Sequence, residues 1–386
     1  MAPLLYETEA TTSAQDLGKE TIFSRNGRVE DLCRKRRVRR FIRSAPYIIQ
    51  KRLFYNSSEV CTCNVPKAAS TSIGRLMLMA EYPENAEYYR MMPGNMIHTT
   101  KQTEYLNTEK CSEKPGISFF VTRDPYARLY SAYLDKVFLE KFGTLAVLID
   151  AVLNKRKSVH YSDSFLKTAR ENHWMCDTVN VTFEQFLQYV AKTRHLDPHF
   201  TPVSLLCNPC KDPVDYIFKQ EDLTDDADYL LDYLNKSLAD KGVSDLDLQL
   251  KDYAGDKGVE NIVTTHYVAW KLRMKNNLCP LTQTTKDHVY KRLWQALKML
   301  GNIDDNLEYI PEMFTSSVGE FKDPRAVLEA FVTHNIQPLT SAQRTRQRRR
   351  YLVEAYKGVS DKVLTGIQTL FQLDFKFFRY DINPPR

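Results

Sequence analysis

One lysine, small residues and three hydroxyl side chains are packed into Pro66-Lys67-Ala68-Ala69-Ser70-Thr71-Ser72. The run lies between a strand-like stretch, Glu59 to Val65, and the apolar segment Ile73-Gly74-Arg75-Leu76-Met77-Leu78. A strand that breaks at proline and re-enters as a helix gathers unpaired backbone N–H groups and a partial positive charge at one spot, which suits a phosphate or a sulfate. Lys67 adds a full, mobile charge. The spacing is not that of a Walker A loop, since GxxxxGK[ST] is absent and the lysine precedes the small residues, and this weakens a nucleotide-kinase reading. Taken alone, the segment is equally compatible with a helix that is merely capped by its own Ser and Thr.

A second anion site is written between residues 117 and 133. Ile117-Ser118-Phe119-Phe120-Val121-Thr122, bounded by Pro115-Gly116, has the pattern of a buried strand. It runs into Arg123-Asp124-Pro125-Tyr126-Ala127-Arg128-Leu129-Tyr130-Ser131. Asp124 is placed as a helix N-cap and Pro125 as the first helical residue. Arg123 therefore falls at the carboxyl end of a strand, with Ser131 about two turns into the next helix. In an open α/β sheet that edge is where ligands bind. A guanidinium forks onto two phosphate oxygens while a hydroxyl donates to a third. The plain alternative is that Arg123 and Arg128 are surface residues paired with acids.

The first loop resembles the segment that grips the 5′-phosphosulfate of 3′-phosphoadenosine 5′-phosphosulfate (PAPS) in sulfotransferases. Arg123-Asp124-Pro125-x-x-Arg128-x-x-Ser131-Ala132-Tyr133 is similar to their 3′-phosphate motif. Two later blocks follow, His195-Leu196-Asp197-Pro198-His199-Phe200-Thr201-Pro202 with its Cys207-Asn208-Pro209-Cys210, and the C-terminal Asp374-Phe375-Lys376-Phe377-Phe378-Arg379-Tyr380. Their order resembles the Golgi carbohydrate sulfotransferases that act on chondroitin, dermatan and the HNK-1 glycan, over about residues 59–135, 182–222 and 351–381. Ala69, Ser70 and Ser72 bring the loop closer to the heparan uronosyl 2-O-sulfotransferases.

The resemblance implies an α/β, P-loop-nucleotide-kinase-like sulfotransferase fold with a central parallel sheet flanked by helices and a mainly helical C-terminal half. It implies transfer of a sulfuryl group from PAPS to a glycan hydroxyl, with Pro66, Lys67, Ala68, Ala69, Ser70, Thr71, Ser72, Arg123, Asp124, Arg128 and Ser131 holding the donor. Lys67 would neutralise the departing phosphate, and no essential metal is expected. A base must take the acceptor proton. His98 lies between the donor motifs at a place resembling the histidine base of the uronosyl branch, and His199 sits in a block shared with the chondroitin branch. Each is open to a purely structural role, and Glu104 and Asp135 remain as carboxylate candidates. A non-catalytic glycan-binding protein that kept the fold is the alternative from another class.

Composition fits these readings without proving them. The chain has 386 residues, 43% hydrophobic and 11% aromatic, and no repeat, so a globular core is expected. The net charge of +6 is concentrated in Arg34-Lys35-Arg36-Arg37-Val38-Arg39-Arg40 and Arg344-Thr345-Arg346-Gln347-Arg348-Arg349-Arg350. Such clusters suit a polyanionic glycan acceptor or a plain solvated helix face. No nucleic-acid-binding signature accompanies them, so nucleic acid is not an expected partner.

The eight cysteines include one CxxC pair and no second half-site for zinc, and disulfides in an oxidising lumen are the better reading for several. Asn56, Asn180 and Asn235 head glycosylation patterns. The family's membrane anchoring and Golgi placement are expected from the resemblance, although residues 1–50 contain no apolar stretch that would span a bilayer. Residues 1–50 are expected to be a basic, poorly ordered leader. Residues 51–386 are expected to be a single domain, with a donor core at 51–240, a mainly helical acceptor side at 241–350, and a helix and strand at 351–386 that pack back on the core. Within it, Thr182-Phe183-Glu184-Gln185 reads as a capping box, Tyr290, Leu293, Trp294, Leu297 and Leu300 as a core stripe, and 304–340 as a surface insertion.

Overall fold

The computed structural model describes residues 22–44, 52–92, 94–99, 106–108, 110–139, 145–154, 181–193, 197–240, 258–275, 283–314 and 323–386. The chain begins with α1 (Ile22–Arg34), α2 (Arg36–Ser44), β1 (Arg52–Tyr55), β2 (Val60–Cys63), α3 (Ser70–Glu81), α4 (Ala86–Met91) and α5 (Gly94–Thr99). It continues through β3 (Leu106–Thr108), β4 (Ile117–Thr122), α6 (Pro125–Tyr133), α7 (Leu145–Leu153), α8 (Phe183–Lys192), α9 (Val203–Leu206), β5 (Tyr216–Lys219) and α10 (Leu223–Asp240). The last helices are α11 (Gly258–Lys275), α12 (Gln283–Met299), α13 (Pro324–Thr333), α14 (Ser341–Lys357), α15 (Asp361–Leu370) and α16 (Gln372–Phe378).

These elements form two compact units. One is drawn from the described residues within Met1–Arg128, Thr193–Ala254 and Thr365–Asn383, the other from those within Leu129–Lys192, Gly255–Leu364 and Pro384–Arg386. Residues 129–192, expected in the donor core, group with the helical unit, and 365–383 group with the sheet.

The first unit is built on a sheet of order β3-β1-β2-β4-β5. Only β2, β4 and β5 run parallel, and β1 is antiparallel to β2 and to β3. The expected parallel sheet is thus a mixed one. The reason is local: the turn Asn56–Glu59 joins β1 straight to β2, and strands joined by a tight hairpin must run antiparallel. β4 occupies the residues read from sequence, whereas β2 stops at Cys63 instead of Val65. Gly116 sets its register with β2. A Cβ there would meet the Glu59 carbonyl oxygen at 1.8 Å, and without one the Ile117 N–H reaches that oxygen at 3.0 Å.

Both faces of the parallel strands are covered, as their continuous apolar runs require; Val60, Phe119, Phe120 and Phe218 are fully buried. Part of that cover comes from the N-terminus, which corrects the reading of 1–50 as a poorly ordered leader for residues 22–44. Arg25 on α1 is buried, donates to the Ile217 carbonyl at 3.2 Å and pairs with Asp222 and Asp226. Val29, Val38 and Ile42 supply an apolar face that a polar average composition conceals. The C-terminal strand is also replaced. Residues 372–378 form helix α16, because Leu373, Phe375, Phe377 and Phe378 are all buried and lack the alternation of a half-exposed strand. Buried Asp374 accepts from the N–H groups of Val203 and Ser204 at 2.7 and 2.8 Å, capping α9.

Three disulfides, Cys33–Cys210, Cys61–Cys111 and Cys63–Cys207, tie this unit together. The CxxC pair is therefore split between two partners, while Cys176 and Cys279 lie outside the described residues. In the second unit the α12 stripe is core as expected, with Leu293, Trp294 and Leu297 buried. The stretch 304–340 is not a surface insertion: Met313 and Phe314 are fully buried, and Val327 and Phe331 on α13 join them. The capping box at α8 forms, with the Gln185 N–H donating to Thr182 Oγ1 at 3.2 Å and the Thr182 N–H to Gln185 Oε1 at 2.8 Å.

Candidate active site

β2 and β4 are parallel neighbours, so the chain leaves both at the same edge of the sheet and enters α3 and α6 from there. The two sequence motifs are thereby brought together. Arg123, half-buried after β4, donates from Nη1 to the Lys67 carbonyl at 3.0 Å.

The loop between β2 and α3 is bent by two left-handed residues, Lys67 at φ 67° and Ala69 at φ 56°. Neither is glycine, and a left-handed non-glycine residue costs about 1–2 kcal/mol, which only a surrounding structure that fixes the loop can sustain. Ala69 is the N-cap of α3 and has no side chain to cap it. The reading in which Ser and Thr merely cap the helix therefore does not hold. Ser70, Thr71 and Ser72 form the first turn, half-buried, where N–H groups have no intrahelical acceptor. Pro66, Lys67 and Ala69 are half-buried beside them and Ala68 is buried.

Asp124 caps α6, accepting from the Ala127 N–H at 2.8 Å, and its own N–H donates to Glu221 Oε1 at 2.9 Å. Burial, with the nearby Glu221 carboxylate adding to it, pushes the Asp124 carboxyl up to about 6. Burial likewise lowers the Arg123 pKa, against the opposing pull of Glu221, Asp124 and Tyr380. Tyr380 arrives from the C-terminus: Arg379 adopts φ 49° after α16, and the Tyr380 hydroxyl donates to Glu221 Oε2 at 3.1 Å. Lys219 Nζ lies 4.9 Å from the Tyr380 ring.

Arg128, expected among the donor contacts, spends its donors on the protein's own backbone. It is fully buried, and Nε, Nη1 and Nη2 donate to the carbonyls of Pro66, Thr201 and Pro198 at 3.0, 2.5 and 2.7 Å. A guanidinium offers a rigid fork of donors, and here it clamps the loop after β2 to the turn at 197–201. Ser131, also expected to touch the donor, is half-buried on α6 within the second unit.

Both histidine candidates lie in the first unit. His98 on α5 is exposed, with Nε2 2.9 Å from Thr71 Oγ1. Gly74 permits this approach, since a Cβ on α3 at that position would meet Ile97 Cγ2 at 3.0 Å. His199 is half-buried with Nδ1 2.6 Å from Asp197 Oδ1, which also accepts from the His199 N–H at 2.9 Å. Asp135 is placed beside Lys136 at 3.2 Å in the second unit, and Glu104 lies outside the described residues. Sequence reasoning assigned no role to Glu221, Tyr380 or Asp197. The signal for Glu221 was its position two residues after β5, at the edge where the other parallel strands end.

Residues 53–237 match the Sulfotransferase family. Among individual proteins, carbohydrate sulfotransferase 11 of Rattus norvegicus is 28% identical over 228 residues, 54% of this chain and 60% of the relative. Carbohydrate sulfotransferase 10 of Danio rerio is 24% identical over 216 residues, 50% of this chain and 53% of the relative. Carbohydrate sulfotransferase 12 of Mus musculus is 28% identical over 200 residues, 45% of this chain and 46% of the relative. The chain thus spans 60% or less of these relatives' length. No solved structure gives a significant match.

Proposed function

We propose that this chain, whose residues 53–237 match the Sulfotransferase family, transfers a sulfuryl group from PAPS to a hydroxyl of a glycan. The observation that carries the reading is the joining of two anion motifs at one sheet edge by the bond from Arg123 to the Lys67 carbonyl. A donor with phosphates at both ends needs two such grips, and a single phosphate would need one.

In the transfer, the acceptor oxygen forms a bond to sulfur as the sulfur–oxygen bond to the 5′-phosphate breaks. The hydroxyl proton passes to a base, and the electron pair of the broken bond stays on the phosphate, which leaves as 3′-phosphoadenosine 5′-phosphate. Charge grows on that phosphate oxygen, so fixed donors aimed at it lower the barrier. Lys67 and the first N–H groups of α3 serve that need, and Arg123 holds the 3′-phosphate. His98 is the favoured base, because its contact with Thr71 ties it to the loop that would carry the leaving group. His199, oriented by Asp197, is the second candidate. A chondroitin-type or related glycan is the proposed acceptor. An oxidising Golgi lumen is the proposed location, supported by three disulfides in one unit.

The test is calorimetric titration with 3′-phosphoadenosine 5′-phosphate, followed by transfer of radiolabelled sulfate from PAPS to desulfated glycosaminoglycans. Wild type should bind, and Arg123→Ala should bind about 10- to 100-fold more weakly, the worth of charge-assisted hydrogen bonds to one guanidinium. His98→Gln should keep nucleotide affinity and lose transfer. No nucleotide binding by wild type would refute the proposal, and binding to glycan without transfer would favour a non-catalytic glycan-binding protein.

A further inference from the structure

Helix α2 is built against its own electrostatics. Arg36 and Arg37 occupy its first turn, where the helix dipole is positive and acidic residues are favoured, and the turn contains no acid. Arg36 and Arg40 are like charges four residues apart, which costs further stability. With Arg34, Lys35 and Arg39 they make six exposed cations within seven residues. Among the described residues Arg34 pairs with Asp31 at 3.8 Å, and no ion pair reaches Lys35, Arg36, Arg37 or Arg40. The helix is nonetheless fixed in place. Val38 and Ile42 are buried in the core of the first unit, and Cys33, just before α2, is bonded to Cys210.

We propose that this face is a binding site for an acidic polysaccharide chain, separate from the donor cradle. An external polyanion would relieve the repulsion that the fold leaves uncompensated, and a fixed helix presents its cations with little loss of freedom on binding. Two observations select the polyanion. The apolar side of α2 is already consumed by the core, so no hydrophobic face remains to enter a bilayer. The three disulfides indicate an oxidising compartment, where acidic glycans rather than nucleic acids are the polyanions at hand. The inference deepens the proposed function by giving the acceptor chain a second hold, and it rests on that reading for the identity of the chain.

The experiment compares wild type, Arg36→Gln/Arg40→Gln and the charge-matched control Arg325→Gln/Lys362→Gln, two exposed cations outside both basic clusters. Each is titrated with chondroitin sulfate, single-stranded DNA and phosphatidylserine vesicles, and separately with 3′-phosphoadenosine 5′-phosphate. The α2 variant should bind chondroitin sulfate at least about fivefold more weakly at physiological salt, with the difference vanishing near 1 M salt, where charges are screened beyond about 3 Å. The control should match wild type, and nucleotide affinity should be the same in all three. Equal weakening in both variants would reduce the effect to net charge and overturn the proposal. Tighter binding of DNA or vesicles than of chondroitin sulfate would overturn it too. Failure of the donor reading would show separately, as a wild type that does not bind the nucleotide.

Discussion

Arg128→Met removes a buried cation that holds three carbonyls, those of Pro66, Thr201 and Pro198. Hydrogen bonds to a charged donor are worth about 1.5–3 kcal/mol each. Their simple sum overstates the loss, because burial already drags the Arg128 pKa down to about 10, and removing the side chain also removes that penalty. Three carbonyls left without partners at about 1 kcal/mol each, with buried Asp374 deprived of a nearby cation, give an expected destabilisation of about 3–5 kcal/mol. This is a large part of the 5–15 kcal/mol typical of a domain. Arg128→Lys is therefore the informative companion: it keeps the charge, reaches one carbonyl, and should lose about 2–3 kcal/mol while staying folded. Urea unfolding followed by far-ultraviolet circular dichroism gives the stability, and hydrogen exchange reports the backbone of 66–72. Both variants should show faster exchange in that loop and weaker binding of 3′-phosphoadenosine 5′-phosphate, in step with the lost stability. If Arg128→Lys stays within about 1 kcal/mol of wild type with slow loop exchange, the clamp argument fails. Lost nucleotide affinity at unchanged stability and exchange would instead mean that Arg128 touches the phosphate directly.

Asp124 gives a pH test. Its folded pKa of about 6 lies above the ordinary carboxylate value, so the folded chain holds a proton that the unfolded chain releases; this contribution is full below pH 4 and is lost as pH rises to about 6. Asp124→Asn, which keeps an acceptor for the Ala127 N–H, should gain about 2–3 kcal/mol on wild type across that interval in urea unfolding; a constant difference would refute the shift. Replacing Cys63 and Cys207 together by Ala should lower stability by about 2–4 kcal/mol, because the bond closes a separation of 144 residues; a melting temperature unchanged in non-reducing buffer would contradict this. Tyr380→Phe removes one of two hydrogen bonds to Glu221 and should cost about 1–2 kcal/mol, with nucleotide affinity reduced less than in Arg123→Ala. An affinity loss as large as that of Arg123→Ala would give Tyr380 a direct contact.

The parts of the site legible in the sequence were those whose chemistry is local. Pro115-Gly116 and Asp124-Pro125 mark the ends of β4 and the start of α6, and each punctuation acts through its own backbone. The two anion motifs could be paired because a strand-to-helix switch fixes which sheet edge a residue occupies. What could not be read depends on distant residues. The buried state of Arg128 is set by carbonyls 62 to 73 positions away. The order in residues 22–44 depends on Asp222 and Asp226, about 200 positions on, which make it possible to bury Arg25. Residues 372–378 carry as much apolar character as a strand, and the near-complete burial of the segment, with Lys376 exposed, is not visible in its local sequence.

The loop after β2 contains no glycine between Pro66 and Ser72, although two of its residues are left-handed. A glycine loop would adopt this path at no steric cost but would also leave it freely. Here the path is held from outside, by Arg128 Nε on the Pro66 carbonyl and Arg123 Nη1 on that of Lys67, and both arginines follow β4. The strain is thus sustained by the second motif. Arg123, assigned to the 3′-phosphate, also shapes the cradle assigned to the 5′-phosphate, so the two grips are one mechanical unit. Loss of either arginine should disturb both ends of the donor, and a fragment of the donor bearing only one phosphate should still sense substitutions made at the other end.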